Sequence, residues 1–194
     1  MLYKFAKAVF SFIFKLFFKI EVFGADKVPT DRAVLLCSNH ISLLDFAFIG
    51  VHTASDLSYL GKAEIARVKI FEKLLKSLGF IPIRRGMSDI GAIKKVITTI
   101  ENGKSVLIFP QGTRKRKLSV RETSFKNGAA LVQKKTGCAV IPISVTTKTM
   151  TVRLFSKITV RFGNLFEPSE FENADNDAIT DKIFNETVRL SEEK

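Results

Sequence analysis

Histidine is scarce in this chain: among 194 residues only His40 and His52 carry an imidazole. His40 stands in Asn39-His40-Ile41-Ser42-Leu43-Leu44-Asp45, directly after the apolar run Ala33-Val34-Leu35-Leu36-Cys37 and five residues before a carboxylate. A histidine with one ring nitrogen held by a carboxylate is a general base that works near neutral pH. A turn between a strand and a helix would carry Asp45 back to the imidazole. The same residues admit a second reading, in which Ser42 and Asp45 form a capping box and Asp45 serves only helix amides. His52 has no comparable neighbours and reads as surface or helix end.

Three further segments carry chemistry. In Phe109-Pro110-Gln111-Gly112-Thr113-Arg114 the proline fixes the exit from a strand and Gly112 lets the backbone turn close to a ligand. Arg114 offers a planar fork of donors suited to a phosphate, and the Thr113 hydroxyl can support the same anion. Gly79-Phe80-Ile81-Pro82-Ile83-Arg84-Arg85 is an apolar strand delivering an arginine pair. Phe125-Lys126-Asn127-Gly128 precedes a helix, where a lysine adds to the field that holds an anion. Cys37 and Cys138 lie in apolar, strand-like runs and read as buried, reduced thiols. No Cys/His cluster has metal-ligand spacing, and no glycine-rich nucleotide loop occurs.

Taken in chain order, these segments resemble motifs of the glycerolipid acyltransferase family of the 1-acylglycerol-3-phosphate acyltransferase type. Asn39 to Asp45 is similar to the family's Asn-His-x-x-x-x-Asp, and Arg85 best matches the arginine of the second motif, with Arg84 adjacent. Residues 109–114 resemble Phe-Pro-Glu-Gly-Thr-Arg, departing from it at Gln111, where glutamate is usual. Residues 125–128 look like Phe-Lys-x-Gly, and Val140-Ile141-Pro142-Ile143-Ser144-Val145 is similar to the fourth motif. The resemblance implies acyl transfer from acyl-CoA or an acyl carrier protein to the free hydroxyl of lysophosphatidate, giving phosphatidate, with no metal or redox cofactor. It implies catalytic roles for His40 and Asp45. An acceptor site would use Arg85, Gln111, Gly112, Thr113, Arg114 and Lys126. Glycerol 3-phosphate, another lysophospholipid or a lyso-aminolipid are alternative acceptors within the family.

The elements that must position these residues alternate between strand and helix, the pattern of an α/β fold with a mixed, mostly parallel sheet flanked by helices. Residues 34–38, 80–83, 105–109, 139–145 and 153–162 read as strands. Residues 42–52, 90–102, 127–136 and 178–190 read as helices, with the site expected in loops at strand ends.

Leu2 to Ile20 reads as an amphipathic helix carrying six phenylalanines and four lysines. At 100° per residue, Lys4, Lys7, Ser11, Lys15 and Lys19 fall within about 120° of its circumference. Lysines inside the stretch cost roughly 3 kcal/mol each at a bilayer centre, so a helix lying in the interface is expected. The alternative is an ordinary helix packed on the domain. Residues 1–24 are thus expected to form a membrane-associated helix and 25–194 the α/β domain, peripheral or monotopic on the cytoplasmic face of the cell membrane. Charge agrees with an anionic lipid partner. The net +12 divides into +18 up to residue 166 and −6 from Glu167 onward. The basic run Arg114-Lys115-Arg116-Lys117, with Arg121, would also suit a nucleic-acid-binding module, but no nucleic-acid motif accompanies it. A non-catalytic membrane scaffold would need no His-Asp pair.

Overall fold

The computed structural model describes residues 2–62, 79–83 and 90–193. Seven strands form one sheet: β1 (Lys19–Phe23), β2 (Val34–Ser38), β3 (Leu57–Lys62), β4 (Phe80–Ile83), β5 (Ser105–Ile108), β6 (Ala139–Thr146) and β7 (Lys157–Phe162). Their spatial order is β1-β7-β6-β2-β5-β3-β4. Every pairing is parallel except β6 with β7, so β2 to β6 share one direction and β7 and β1 run against it. The sheet is mixed and mostly parallel, flanked by helices.

Why β2 and β6 lie at the centre follows from composition. All five residues of β2 and seven of the eight in β6 are buried, the continuous apolar run of strands covered on both faces. Residues of one strand then divide between two cores. Val34, Leu36, Leu107, Ile141 and Ile143 face α1 (Leu2–Phe17) and α2 (Asp45–Gly50). Leu35, Cys37, Val106, Ile108 and Val140 face α3 (Ile90–Glu101), α4 (Gly128–Thr136) and α5 (Asn176–Glu192). The stripe of α3 that enters the core is Ala92, Val96 and Ile100, while Ile90 is exposed. Gly137 ends α4 in the left-handed region at φ 60°, where its N–H reaches the Gln133 carbonyl at 2.7 Å.

Several boundaries differ from the sequence expectation. The first helix stops at Phe17, and Lys19–Phe23 is an edge strand of the sheet rather than helix. The run Lys-Ile-Glu-Val-Phe alternates with period two, which pairs it with β7 once the helical pattern ends. Residues 2–23 therefore divide between a helix docked on the core through Tyr3, Ala6 and Phe14 and a strand of the main sheet. The helix expected from residue 42 begins at Asp45, because residues 41 and 42 turn their amides toward that carboxylate. The last strand begins at Lys157 rather than Arg153, since Phe155 has φ 61° and cannot continue an extended chain. β3 was not expected: Ser58 and Gly61 dilute its apolar signal, yet Leu57 and Tyr59 are buried between β5 and β4.

Candidate active site

Parallel strands β2, β5 and β6 end side by side, and the motif residues follow directly from those ends, as ligand-binding loops do in open α/β sheets. Asn39 is wholly buried and clamps the exit of β2 to the end of β6. Its Nδ2 donates to the Val145 carbonyl at 2.8 Å and its Oδ1 accepts the Val145 N–H at 2.7 Å. The side-chain amide thus continues the strand pairing where the backbone turns away. Sequence reasoning gave Asn39 no role, since its partner lies 106 residues away.

His40 follows on this clamp. Its Nδ1 lies 2.8 Å from Asp45 Oδ2, and the carboxylate is fully buried. The same oxygen accepts the amides of Ile41 at 2.7 Å and Ser42 at 2.8 Å. Asp45 thus closes the turn before α2 and holds the imidazole at once, while α2 itself starts after Leu44 with no side-chain cap, so the capping box does not form. Nδ1 is the donor in this arrangement, which leaves the Nε2 lone pair as the basic site. The Ile41 and Ser42 amides, being committed to Asp45, are not oxyanion donors. Phe109 stacks on the imidazole with ring centroids 4.1 Å apart and planes 20° from parallel. The backbone of His40 is fastened at both ends, its carbonyl accepting Lys115 N–H at 2.7 Å and its N–H donated to Gln111 Oε1 at 2.6 Å.

Gln111, expected beside the acceptor, is buried, and both ends of its side chain are used within the protein. Oε1 takes the His40 N–H, and Nε2 donates to Thr123 Oγ1 at 2.7 Å. The Thr123 hydroxyl donates its proton to the Val120 carbonyl at 2.7 Å, so toward residue 111 it can only accept. An amide satisfies that geometry and a carboxylate does not. Gln111→Glu is accordingly expected to cost about 1 kcal/mol of stability in urea denaturation. The KM for the acceptor should be unchanged, which initial-rate kinetics would check.

Gly112, Thr113, Arg114 and Lys126 come together beyond this brace. Gly112 turns at φ 68°, its N–H on the Phe109 carbonyl at 2.9 Å. A side-chain carbon built on Gly112 would lie 3.5 Å from Lys126 Nζ, so the ammonium group sits over the turn. Lys126 is anchored by its N–H to the Pro110 carbonyl at 3.0 Å. Arg114 is half-buried, Thr113 and Lys126 are exposed, and neither cation makes an ion pair with another described residue. Two cations beside a glycine turn form a place for an anion. Arg84 and Arg85 lie outside the described residues; β4 ends at Ile83 on the same edge of the sheet. Elsewhere, Arg121 is bound through two nitrogens to Glu192, both at 2.8 Å. Burial pushes the Cys37 and Cys138 thiols up, away from nucleophilic thiolates. His52 Nδ1 bonds the Phe48 carbonyl at the end of α2.

Residues 19–146 match the family model described as Acyltransferase. The chain is 32% identical over 132 residues to the chloroplastic 1-acyl-sn-glycerol-3-phosphate acyltransferase LPAT1 of Arabidopsis thaliana, covering 66% of this chain and 36% of that one. It is 29% identical over 130 residues to the lyso-ornithine lipid O-acyltransferase of Pseudomonas aeruginosa, covering 66% and 47%. It therefore spans between a third and a half of the length of these relatives. The crystal structure of the 1-acyl-sn-glycerophosphate acyltransferase PlsC from Thermotoga maritima has the same fold, with a TM-score of 0.78 at 22% identity, over 98% of this chain and 77% of that one.

Proposed function

This chain belongs to the acyltransferase family, and from that premise we propose that it moves a fatty acyl chain from a thioester to the free sn-2 hydroxyl of 1-acylglycerol 3-phosphate, forming phosphatidate. The observation that carries the reading is the 2.8 Å contact between His40 Nδ1 and a fully buried Asp45 at a strand end. His40 Nε2 takes the proton of the acceptor hydroxyl as its oxygen attacks the thioester carbonyl. Asp45 holds Nδ1–H and stabilises the imidazolium that forms. The tetrahedral intermediate collapses, the C–S bond breaks, and the imidazolium proton goes to the leaving thiolate. The donor is acyl-CoA or an acyl carrier protein thioester. Arg114 and Lys126 bind the acceptor phosphate over the Gly112 turn, with Thr113 beside them and Arg85 as the third cation the family motif supplies.

The match to a lyso-ornithine lipid acyltransferase favours one second reading, in which the acceptor carries an amino-acid headgroup. Competition separates the two. Purified protein given an acyl thioester and equal amounts of lysophosphatidate and lyso-ornithine lipid should acylate the phosphate-bearing acceptor preferentially. Preferential acylation of the ornithine lipid would overturn the assignment of Arg114 and Lys126.

Such an acceptor stays in the bilayer, and α1 is suited to meet it there. One face of the helix is buried on the core, and another exposes Phe5 (65%), Val9, Phe12 (71%), Ile13 and Leu16, flanked by exposed Lys4 and Lys15. Lys7 instead turns inward to the Thr53 carbonyl, and burial lowers its pKa. At 16 residues α1 measures about 24 Å, and no helix among the described residues is long and apolar enough to cross a membrane. The helix lies on the cytoplasmic face of the cell membrane, half in its own protein and half in lipid. Replacing Phe12 and Leu16 together by Ser should lower partitioning onto anionic vesicles about tenfold or more. Added salt should weaken binding of the unaltered chain, and vesicle sedimentation checks both.

A further inference from the structure

The loop joining β6 to β7 serves no step of the chemistry above, yet it holds two large apolar side chains in water. Leu154 is 66% exposed and Phe155 69%. The backbone is arranged to keep them there. Phe155 has φ 61°, a conformation that costs a bulky L-residue energy and persists only where the surroundings impose it. They do: Phe155 N–H is donated to the Phe17 carbonyl at 2.7 Å, and Lys19 N–H to the Ser156 carbonyl at 3.2 Å. Arg153 N–H closes the turn on Ser156 Oγ at 2.9 Å, and the Phe155 ring lies 6.4 Å from that of Phe17. The tip is thus tied to the end of α1, next to exposed Leu16.

On its other flank the loop is tied to the basic run. Lys117, itself at φ 63°, donates its N–H to the Met150 carbonyl at 3.2 Å, while Lys115 is bonded to the His40 carbonyl. Arg116, Lys117, Lys148 and Arg153 are all exposed. An exposed apolar pair on a loop that itself carries Lys148 and Arg153 and is bonded to the basic run, at the strand-end edge that carries His40, matches an anionic bilayer in both polarity and charge. We propose that Leu154 and Phe155 form a second membrane-inserting element, which together with α1 sets the active-site edge against the lipid surface. This rests on the reading that α1 lies on the membrane, and it adds an orientation that one helix alone does not fix.

The chain has no tryptophan, so a single introduced indole reports its own depth. Phe155→Trp, Phe12→Trp and Phe23→Trp place it at the loop tip, on α1, and at the far end of β1, respectively. Leu154→Trp serves if Phe155→Trp does not fold. The probe is a vesicle of equal parts phosphatidylglycerol and phosphatidylcholine with brominated acyl chains. Blue-shifted, quenched emission from Phe155→Trp or Leu154→Trp, with Phe23→Trp unaffected, is the result expected. Replacing Leu154 and Phe155 together by Ser should lower partitioning about tenfold with α1 intact. Quenching of Phe12→Trp while the loop variants stay as exposed to water as Phe23→Trp would overturn the proposal and leave the α1 reading standing. Quenching at none of these positions would overturn both.

Discussion

Replacing His40 by Ala should abolish nearly all acyl transfer while leaving the fold in place. The imidazole stacks on Phe109 and, among the described residues, bonds only Asp45 through its side chain, so its loss removes the proposed base without unlocking the backbone. The fastenings of residue 40 are main-chain bonds to Gln111 and Lys115, which alanine keeps. Asp45→Asn is expected to lower turnover by roughly 10²–10⁴. Asn can still accept the Ile41 and Ser42 amides through one oxygen, but it offers no charge to stabilise the imidazolium. Asp45→Ala should add a loss of stability, because it leaves one buried and one half-buried amide without their acceptor. Initial rates of phosphatidate formation, with circular dichroism to confirm folding, check all three. Near-normal transfer by folded His40→Ala protein would remove the base from the mechanism.

The second large effect should fall on acceptor binding. Arg114→Ala is expected to raise the KM for lysophosphatidate by roughly 10–100-fold, the loss of a charge-assisted contact, and to leave the KM for the acyl donor nearly unchanged. Lysine at this position should restore only part of the affinity, since a point charge lacks the guanidinium fork. Gly112→Ala would act on the same pocket by another route. It puts a side chain at φ 68°, in contact with the tip of Lys126. Donor and acceptor KM values measured separately decide the matter: a rise in the donor KM alone would assign the cations to the thioester substrate.

How much of this was legible in sequence depends on the range of each interaction. His40 and Asp45 are five residues apart, so one turn sets their geometry; the spacing left a base and a helix cap equally open, and the further motifs favoured the pair. The buried strands β2, β5 and β6 were legible because each is a predominantly apolar run. The braces were not legible. Asn39 meets Val145 and Gln111 meets His40 across 106 and 71 residues, contacts that only the sheet creates. Gln111 therefore read as a neutral spacer beside the acceptor, with no sign of the bonds by which it braces the turn that carries His40. At β1 the helical pattern of the preceding residues concealed a strand. At Leu154-Phe155 an apolar pair extended a strand signal across what is a strained turn. The partition of α1 into a buried and an exposed apolar face was also hidden. Phenylalanines at positions 5, 10, 12, 14, 17 and 18 give one hydrophobic signal whether they meet protein or lipid.

The central claim is direct transfer from thioester to hydroxyl with His40 as base. Its most direct test follows two products at once, using the full chain on vesicles that contain lysophosphatidate, with an acyl thioester as donor. Free thiol is titrated while phosphatidate is measured by mass spectrometry. Thiol release equal to phosphatidate formed at every time point, with no thiol released when lysophosphatidate is left out and neither product from His40→Ala, is the expected result. Thiol release without the acceptor, or phosphatidate formation that survives loss of His40, would contradict it.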